Sequence, residues 1–514
     1  VPIFGILDRL NPPQAAAIEN VLQKKATFKQ IKRTSSFYTC TSVFVLGAAT
    51  VAGFTMEETK GASPLKQNMI TGSVMKNILV FSLPYLLSTF LQTLYGLADL
   101  FIIGWFDGVA GTTAVSIGSQ VMHMLTVMIV GLAMGATVRI GRAVGAKDDE
   151  MARESVGNTA TLFMGLSVAA TCLLLLGVNG ILELLSTPEE AVGGTRAYLT
   201  VCFIGIPCIT AYNIISSIFR GMGDSKSPMV FVAIACAANI ALDVFFMGAL
   251  KLGPVGAALG TTLSQALSVA AALWAIIKRK MIPGLMPADF KPKRQTMAAL
   301  LKVGVPVALQ DGLIQVGFIA ITIIANMRGL NDSAAVGIVE KIVGILFLVP
   351  STLLSTVSAL AALNIGAGEH GRVRQILLYA VAMAVGYGLV IGVTMQFAAD
   401  GAVSLFAREA EVIRLGGEYL RGYAWDCLFA GIHFSFSGFF CAYGLSGISF
   451  LHNIVSLICA RLPLAYLASA LDKTSLTPMG FAAPIGSLLS VVICLAGYQW
   501  MGKHPEKWKS SETE

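Results

Sequence analysis

Apolar runs of about 20 to 30 residues, the length needed to cross the hydrocarbon core of a bilayer, recur from residue 77 to residue 502 with only short polar breaks. There are twelve, at 77–104, 113–138, 154–178, 192–219, 227–249, 254–277, 303–327, 333–364, 375–399, 417–443, 447–470 and 477–501. Lipid offers no partners to backbone N–H and C=O groups, so such runs must be helices or the strands of a closed barrel. Barrel strands alternate apolar and polar residues over about ten positions, a pattern these long runs do not have. The expected fold is therefore an all-α membrane protein with twelve transmembrane helices, in keeping with a chain that is 55% hydrophobic and 13% charged.

Lys and Arg set the orientation. From residue 60 onward, the loops on one side carry 21 of them and the loops on the other carry 7. Both ends of the twelve-span unit are accordingly expected in the cytoplasm, and the net charge of +7 reflects orientation rather than nucleic-acid binding. Nine cysteines are scattered without CxxC or Cys/His spacing, which argues against a disulfide framework or a structural zinc site. The apolar stretch 37–54 follows a basic cluster (Lys24, Lys25, Lys29, Lys32, Arg33) and would invert the loop bias if it spanned. It is expected to lie outside the transmembrane unit, and a start at Met56 would place it ahead of the protein, with a cleaved or interfacial segment as the alternative.

The chain overlays itself at an offset of 221 to 222 residues. Pro84 in "FSLPYLL" meets Pro306 in "VGVPVAL", "AVSIGSQVM" (114–122) meets "AVGIVEKIV" (335–343), and Gly223 meets Gly444. Six spans per copy bring the second copy in from the same side, which gives a parallel repeat about an axis along the membrane normal. The expected organisation is an N-terminal extension (1–75), a first lobe (76–277), a proline-rich basic connector (278–302), a second lobe (303–502) and a polar tail (503–514). Two such lobes enclose a midplane cleft, where transporters of this build bind substrate and rock.

A charged side chain at mid-membrane costs roughly 2.5 to 3.5 kcal/mol on insertion scales, so each needs a reason. The candidates are Asp99, Asp243 with Asn239, Asp311, Glu340, Lys341, Asp426 and Arg461. Asn239 and Asp243 stand four apart and share a helix face. A carboxylate beside an amide can hold a proton or coordinate Na⁺ through two oxygens, and Asp99 supplies a second acid in the same lobe. The alternative is a polar contact that only joins helices. Under the repeat, Asp99 aligns with Ile321 and Asp243 with Leu464, so the second lobe has no copy of this set. Asp311, Glu340 and Asp426 either line the cleft and attract cationic substrates or pair with buried bases, with Lys341 to Asp311 or Asp426 as the expected pair. Tyr95 and Gln92 are candidates for the cleft wall. His123, His433 and His452 lack ligand spacing and read as structural.

These residues bring a resemblance into view. "LADLFIIG", "GSQVM", "TVRIGRAVGAK", "RGMGDSKSPM" and "NIALDVFF" in the first lobe, with "GVPVALQDGLI", "AAVGIVEKI", "LNIGAG" and "RLPLAYL" in the second, resemble the multidrug and toxic compound extrusion (MATE) family, closest to its DinF-like bacterial branch. The resemblance covers about 76–500. It implies a multi-pass protein of the bacterial cytoplasmic membrane, with no enzymatic activity and no cofactor beyond H⁺ or Na⁺ as coupling ion. Asp99 matches the family's first-helix acid implicated in ion coupling, Asn239 and Asp243 its fifth-helix pair, and Thr261 the sixth-helix hydroxyl that completes the network. Where the family usually has Pro after the fifth-helix Asp this chain has Val244, and where it usually has Gln-Asn this chain has Leu363-Asn364.

Two other classes compete. "GMGD" (221–224) has the form seen in intramembrane aspartyl proteases, but Asp224 ends the fourth span and "SKSP" follows as a polar turn. A flippase for lipid-linked sugars needs a cationic cleft, whereas mid-span acids outnumber mid-span bases five to two. No HExxH, Walker or GxSxG motif occurs, so transport must draw on an ion gradient. The expectation is a secondary antiporter that exports organic cations or amphipathic compounds, working as a monomer among membrane lipids. A fluorescent-protein fusion after Gly284 should report a cytoplasmic connector and one after Lys473 should be dark. The reverse pattern would overturn the orientation.

Overall fold

The computed structural model describes residues 69–504 apart from Lys280. The segment 37–54, its basic flank and the tail beyond His504 lie outside the described residues. Among the described residues every regular element is helical. The first lobe comprises α1 (Val74–Phe106), α2 (Gly108–Ala146), α3 (Asp149–Leu184), α4 (Glu189–Ile204), α5 (Ile206–Gly221), α6 (Lys226–Asp243) continued by a π turn (Val244–Ala249), and α7 (Gly253–Arg279). The second comprises α8 (Arg294–Asn326), α9 (Leu330–Leu346), α10 (Leu348–Gly366), α11 (His370–Ser404), α12 (Ala410–Tyr423), α13 (Asp426–Ala442), α14 (Ser446–Ser456), a π turn (Leu457–Arg461), α15 (Leu462–Leu471) and α16 (Thr477–Lys503).

Twelve spans result, as two six-span lobes. Among the described residues ten are long, apolar helices, α9 with α10 counting as one. The fourth span is a pair, α4 and α5, bent by 49°. The tenth pairs α12 with the apolar α13; α12 is too polar for a continuous apolar span because Glu411, Arg414 and Glu418 decorate its outer face. Apolar periodicity reads these two spans as unbroken because their breaks lie inside apolar sequence. The physical cause at the fourth span is local: Pro207 brings no backbone N–H, and Gly205 is pressed onto Thr262 of α7 at 2.5 Å from where a Cβ would sit. The tenth span breaks at the position that the repeat offset predicts, just before Asp426. Helices also run past their apolar windows. At 39 residues α2 is about 58 Å long, well beyond the hydrocarbon core of about 30 Å.

The lobes meet along the half of the bundle that carries the basic loops. Here α2 lies against α8 and α10 so closely that side chains are excluded. A Cβ at Gly135 would collide with the Leu300 carbonyl, one at Gly304 with the Leu132 carbonyl, one at Gly145 with the Leu363 carbonyl and one at Gly366 with the Arg142 carbonyl. Small residues at these crossings let backbones touch, which is how helices associate where lipid provides no hydrophobic drive. Polar contacts close the seam. Arg142 donates to the Ala442 carbonyl at 2.7 Å, Arg372 to the Gly72 carbonyl at 3.0 Å, and Ser355 to the Tyr85 hydroxyl at 3.1 Å. In the connector Lys293 pairs with Glu154 of α3 at 2.6 Å, which holds the Lys293 ammonium above its ordinary pKa, and Asn158 receives the Lys293 amide at 2.7 Å. The connector is thus moored on the first lobe. In the other half of the bundle α9 packs on α8, α11 and α12 of its own lobe. An added Cβ at Gly96, Gly337 or Gly344 would meet nothing within 4 Å.

Substituting Gly145→Leu places a side chain where the Leu363 carbonyl sits. Spin labels set across the seam at the basic end should then report longer, broader distances than in wild type, with efflux reduced at least about tenfold. Unchanged distances would show that the glycine crossings do not define the closed seam.

Candidate functional site

Three helices deliver the first-lobe polar set into one place. Asp99 comes from α1, Asn239 and Asp243 from α6, and Thr261 from α7. Asp99 is 4% exposed, and Asn239 and Asp243 are fully buried. Thr261 donates its hydroxyl to Asp99 Oδ2 at 3.1 Å, and Asp243 and Asn239 lie within interaction range of the Asp99 carboxylate. Close packing of α6 and α7 makes this possible. A Cβ at Gly256 would stand 3.0–3.1 Å from Met247 and Phe246, and one at Gly260 would collide with Asp243 Oδ1. Immediately after Asp243 the helix widens into the π turn, where the Leu250 amide reaches the Phe245 carbonyl five residues back. The break that the family's proline would provide is therefore present despite Val244, made by helix widening, a device frequent at functional sites.

Most polar atoms of this set lack a protein partner. Asp99 Oδ1, both Asp243 oxygens and both polar atoms of Asn239 are buried without a hydrogen bond. Buried polar groups are nearly always paired, and two carboxylates side by side out of water need positive charge between them. The donors are hard oxygens, which suits a proton or Na⁺ and not a soft transition metal. Tyr95 joins this cluster: Gln265 of α7 donates to its hydroxyl at 3.3 Å, and it stands within range of Asp99 and Tyr212. Gln92 sits one turn before it, beside Tyr212. Tyr95 thus stands beside Asp99, and Gln92 beside Tyr212, both within the first lobe. Gln265 and the Gly256/Gly260 pair escape a search for charged residues; the small-residue spacing of "GPVGAALG" is the sequence signal that marks them.

The second-lobe candidates separate. Asp311 of α8 lies at the seam, its Oδ2 2.9 Å from where a Cβ would sit at Gly131 of α2. Glu340 accepts from Thr322 at 3.2 Å, and Asp426, fully buried, begins α13. The expected pairing of Lys341 with Asp311 or Asp426 does not form. Lys341 is exposed, one turn before the crevice-lining Ile345, because its position falls off the buried face made by Val336, Val339 and Val343. The base in charge range of both Asp426 and Glu340 is Arg461. His433 and His452, far apart in sequence, stack edge to face at 5.3 Å, with Ser437 bonded to His452 at 2.8 Å. Asp224 of "GMGD" caps α6, accepting from the Lys226 amide at 2.9 Å and the Ser227 hydroxyl at 2.6 Å. Between the lobes, a crevice of about 650 Å³ is lined by Leu83, Pro84, Leu87 and Phe90 of α1, Met229, and Ile345, Leu348 and Val349. All of these are apolar.

Comparison with known families places this architecture. The MatE family model matches twice, over residues 84–245 and 306–467, beginning at the two prolines that the internal repeat superposes. The chain belongs to the MatE family. Among its relatives, the probable multidrug resistance protein YpnP of Bacillus subtilis is 31% identical over 400 residues, which is 78% of this chain and 89% of that protein. The multidrug export protein MepA of Staphylococcus aureus is 26% identical over 377 residues, 72% of this chain and 82% of that one. In structure, the chain resembles an outward-facing multidrug resistance MATE transporter of the MOP superfamily, with a TM-score of 0.79 at 23% identity over 86% of this chain and 98% of that one. A MOP superfamily transporter from Pyrococcus furiosus aligns with a TM-score of 0.78 at the same identity and coverage. These likenesses establish the membership and the twelve-helix, two-lobe fold.

The contact between Gly260 and Asp243 yields a test that needs no transport assay. Gly260→Ala should lower the thermal midpoint, at a cost of about 1 to 3 kcal/mol for overpacking. Adding Asp243→Ala should return most of that loss, because the colliding oxygen is gone. Equal losses with and without the second substitution would contradict the packing.

Proposed function

We propose that the protein is an ion-coupled multidrug efflux antiporter of a bacterial cytoplasmic membrane, exchanging H⁺ or Na⁺ for organic cations or other amphipathic compounds. The observation that carries this reading is the pair of buried carboxylates, Asp99 and Asp243, three of whose four oxygens make no hydrogen bond and whose neighbours include no base among the described residues. Such a pair gains or loses positive charge as a unit. Thr261 orients Asp99, Asn239 offers its amide oxygen, and the π turn after Asp243 lets this stretch adjust without unwinding the whole span. With the basic loops on the cytoplasmic side, the glycine seam closes the cytoplasmic end, so the conformer faces outward with the acids buried in the first lobe.

In the proposed cycle an external ion enters between Asp99 and Asp243 and draws α1, α6 and α7 together. That movement changes how α1 meets the crevice it shares with α9 and α10, lowers substrate affinity outside and favours return to the inward state. Linkage requires ion and drug to weaken each other's binding for the exchange to couple. The apolar crevice suits hydrophobic substrate surfaces, and Asp311 at the seam supplies the charge that favours cations. The relatives named as multidrug exporters support the substrate class.

Dye efflux from proteoliposomes under an imposed pH or Na⁺ gradient tests the proposal. Wild type should export a cationic dye with one of the two gradients, and Asp243→Asn should reduce gradient-driven export at least about a hundredfold while still binding the dye. Full transport by the variant would make Asp243 a structural group and end the coupling role assigned to it.

A further inference from the structure

Two acids stand out in each lobe, and only those of the second have a base, Arg461, within charge range. In the first lobe these are Asp99 and Asp243; in the second they are Glu340, held by Thr322 at 3.2 Å, and Asp426, whose two oxygens make no hydrogen bond. Arg461 stands in charge range of both second-lobe acids without a direct ion pair to either. Arg461 ends the π turn of the eleventh span, as Asp243 immediately precedes the π turn of the fifth. The two spans are repeat equivalents but their π turns are not superposed: at the repeat offset Asp243 falls opposite Leu464 and Arg461 opposite Asn239 or Ile240, so each lobe widens its own stretch of helix. Arg461 is held firmly. Its guanidinium donates to the Tyr423 hydroxyl and lies 5.3 Å from the ring centroids of both Tyr423 and Phe318. Gly486 of α16 makes room for its stem, since a Cβ there would stand 3.1 Å from Arg461 Cβ. The groups in charge range of it are Glu340, Asp426, Tyr419, Tyr423 and His433.

We propose that Arg461 is the resident cation of the second lobe, a tethered counter-ion to Glu340 and Asp426 that stops this pair from taking up an exchangeable one. An arginine stays charged under all physiological conditions, and because it is part of the chain it cannot be released to either side. The second lobe then neither gains nor loses charge in the cycle, and the number of ions exchanged per turnover is set by the first lobe alone. This rests on the reading of Asp99 and Asp243 as the exchange site, but it makes a separate claim: cation capacity is hidden in the second lobe and is exposed by removing one side chain.

The test counts cations bound by purified protein in lipid nanodiscs, by calorimetric titration with Na⁺ and by proton uptake with a pH-indicator dye. Three proteins are compared: wild type, a first-lobe variant (Asp99→Asn with Asp243→Asn), and that variant with Arg461→Met. The first-lobe variant should lose the wild-type uptake, and adding Arg461→Met should bring about one Na⁺ or H⁺ per protein back. Adding Asp426→Asn and Glu340→Gln should abolish it again. If Arg461→Met restores nothing, the proposal is overturned. If the first-lobe variant alone keeps wild-type uptake, the reading of Asp99 and Asp243 fails, whereas the increment on removing Arg461 still decides the second-lobe claim. Should Arg461→Met fold poorly, thermal stability decides instead: the charge-balanced triple variant Arg461→Met, Glu340→Gln, Asp426→Asn should recover most of the lost stability, and no recovery would show that Arg461 does not serve these acids.

Discussion

Asp99 and Asp243 stand together buried in the first lobe, and the residues around them are set by the need to compensate two acids side by side. Ionised together and unaccompanied they would repel each other, while paired with a lysine or arginine they would be inert. Their neighbours are instead a threonine hydroxyl and an asparagine amide, groups able to ligate or hydrogen-bond a cation without supplying charge of their own. The glycines of α7 bring α6 to the distance at which this is possible, and the widened turn after Asp243 gives the acid-bearing backbone freedom that a regular helix lacks.

The lobes obey a related economy. Two apolar bundles in lipid have little reason to associate, so they hold together by backbone contact at paired glycines and by a few polar bonds at the basic end. Such an interface is narrow and geometrically exacting. That property suits rocking lobes better than a broad hydrophobic interface would. The connector is moored on α3 through Lys293 and Asn158, next to the start of α8.

Much of this was legible in the sequence. The apolar runs, the offset repeat and the family motifs led to twelve helices in two lobes, and the spacing of Asn239 and Asp243 marked the face they share. Three things were not legible. The breaks at Gly205 and before Asp426 lie inside apolar runs, where periodicity sees only continuity. The partner of Asp426 was sought in Lys341 because both read as buried, but only packing shows which face of α9 a residue occupies, and Arg461 approaches from a different span. The roles of Gly256 and Gly260 depend on how near α6 comes, a distance that no one-dimensional pattern states.

The most direct measurement is the affinity of the purified protein for a cationic dye, by fluorescence anisotropy, with and without saturating Na⁺ and at acid and alkaline pH. In wild type one of the two cations should weaken dye binding at least about tenfold, and in Asp243→Asn that dependence should vanish while the dye still binds. Dye affinity in wild type that is indifferent to both cations would contradict the account, because two ligands that do not affect one another cannot be exchanged by these carboxylates.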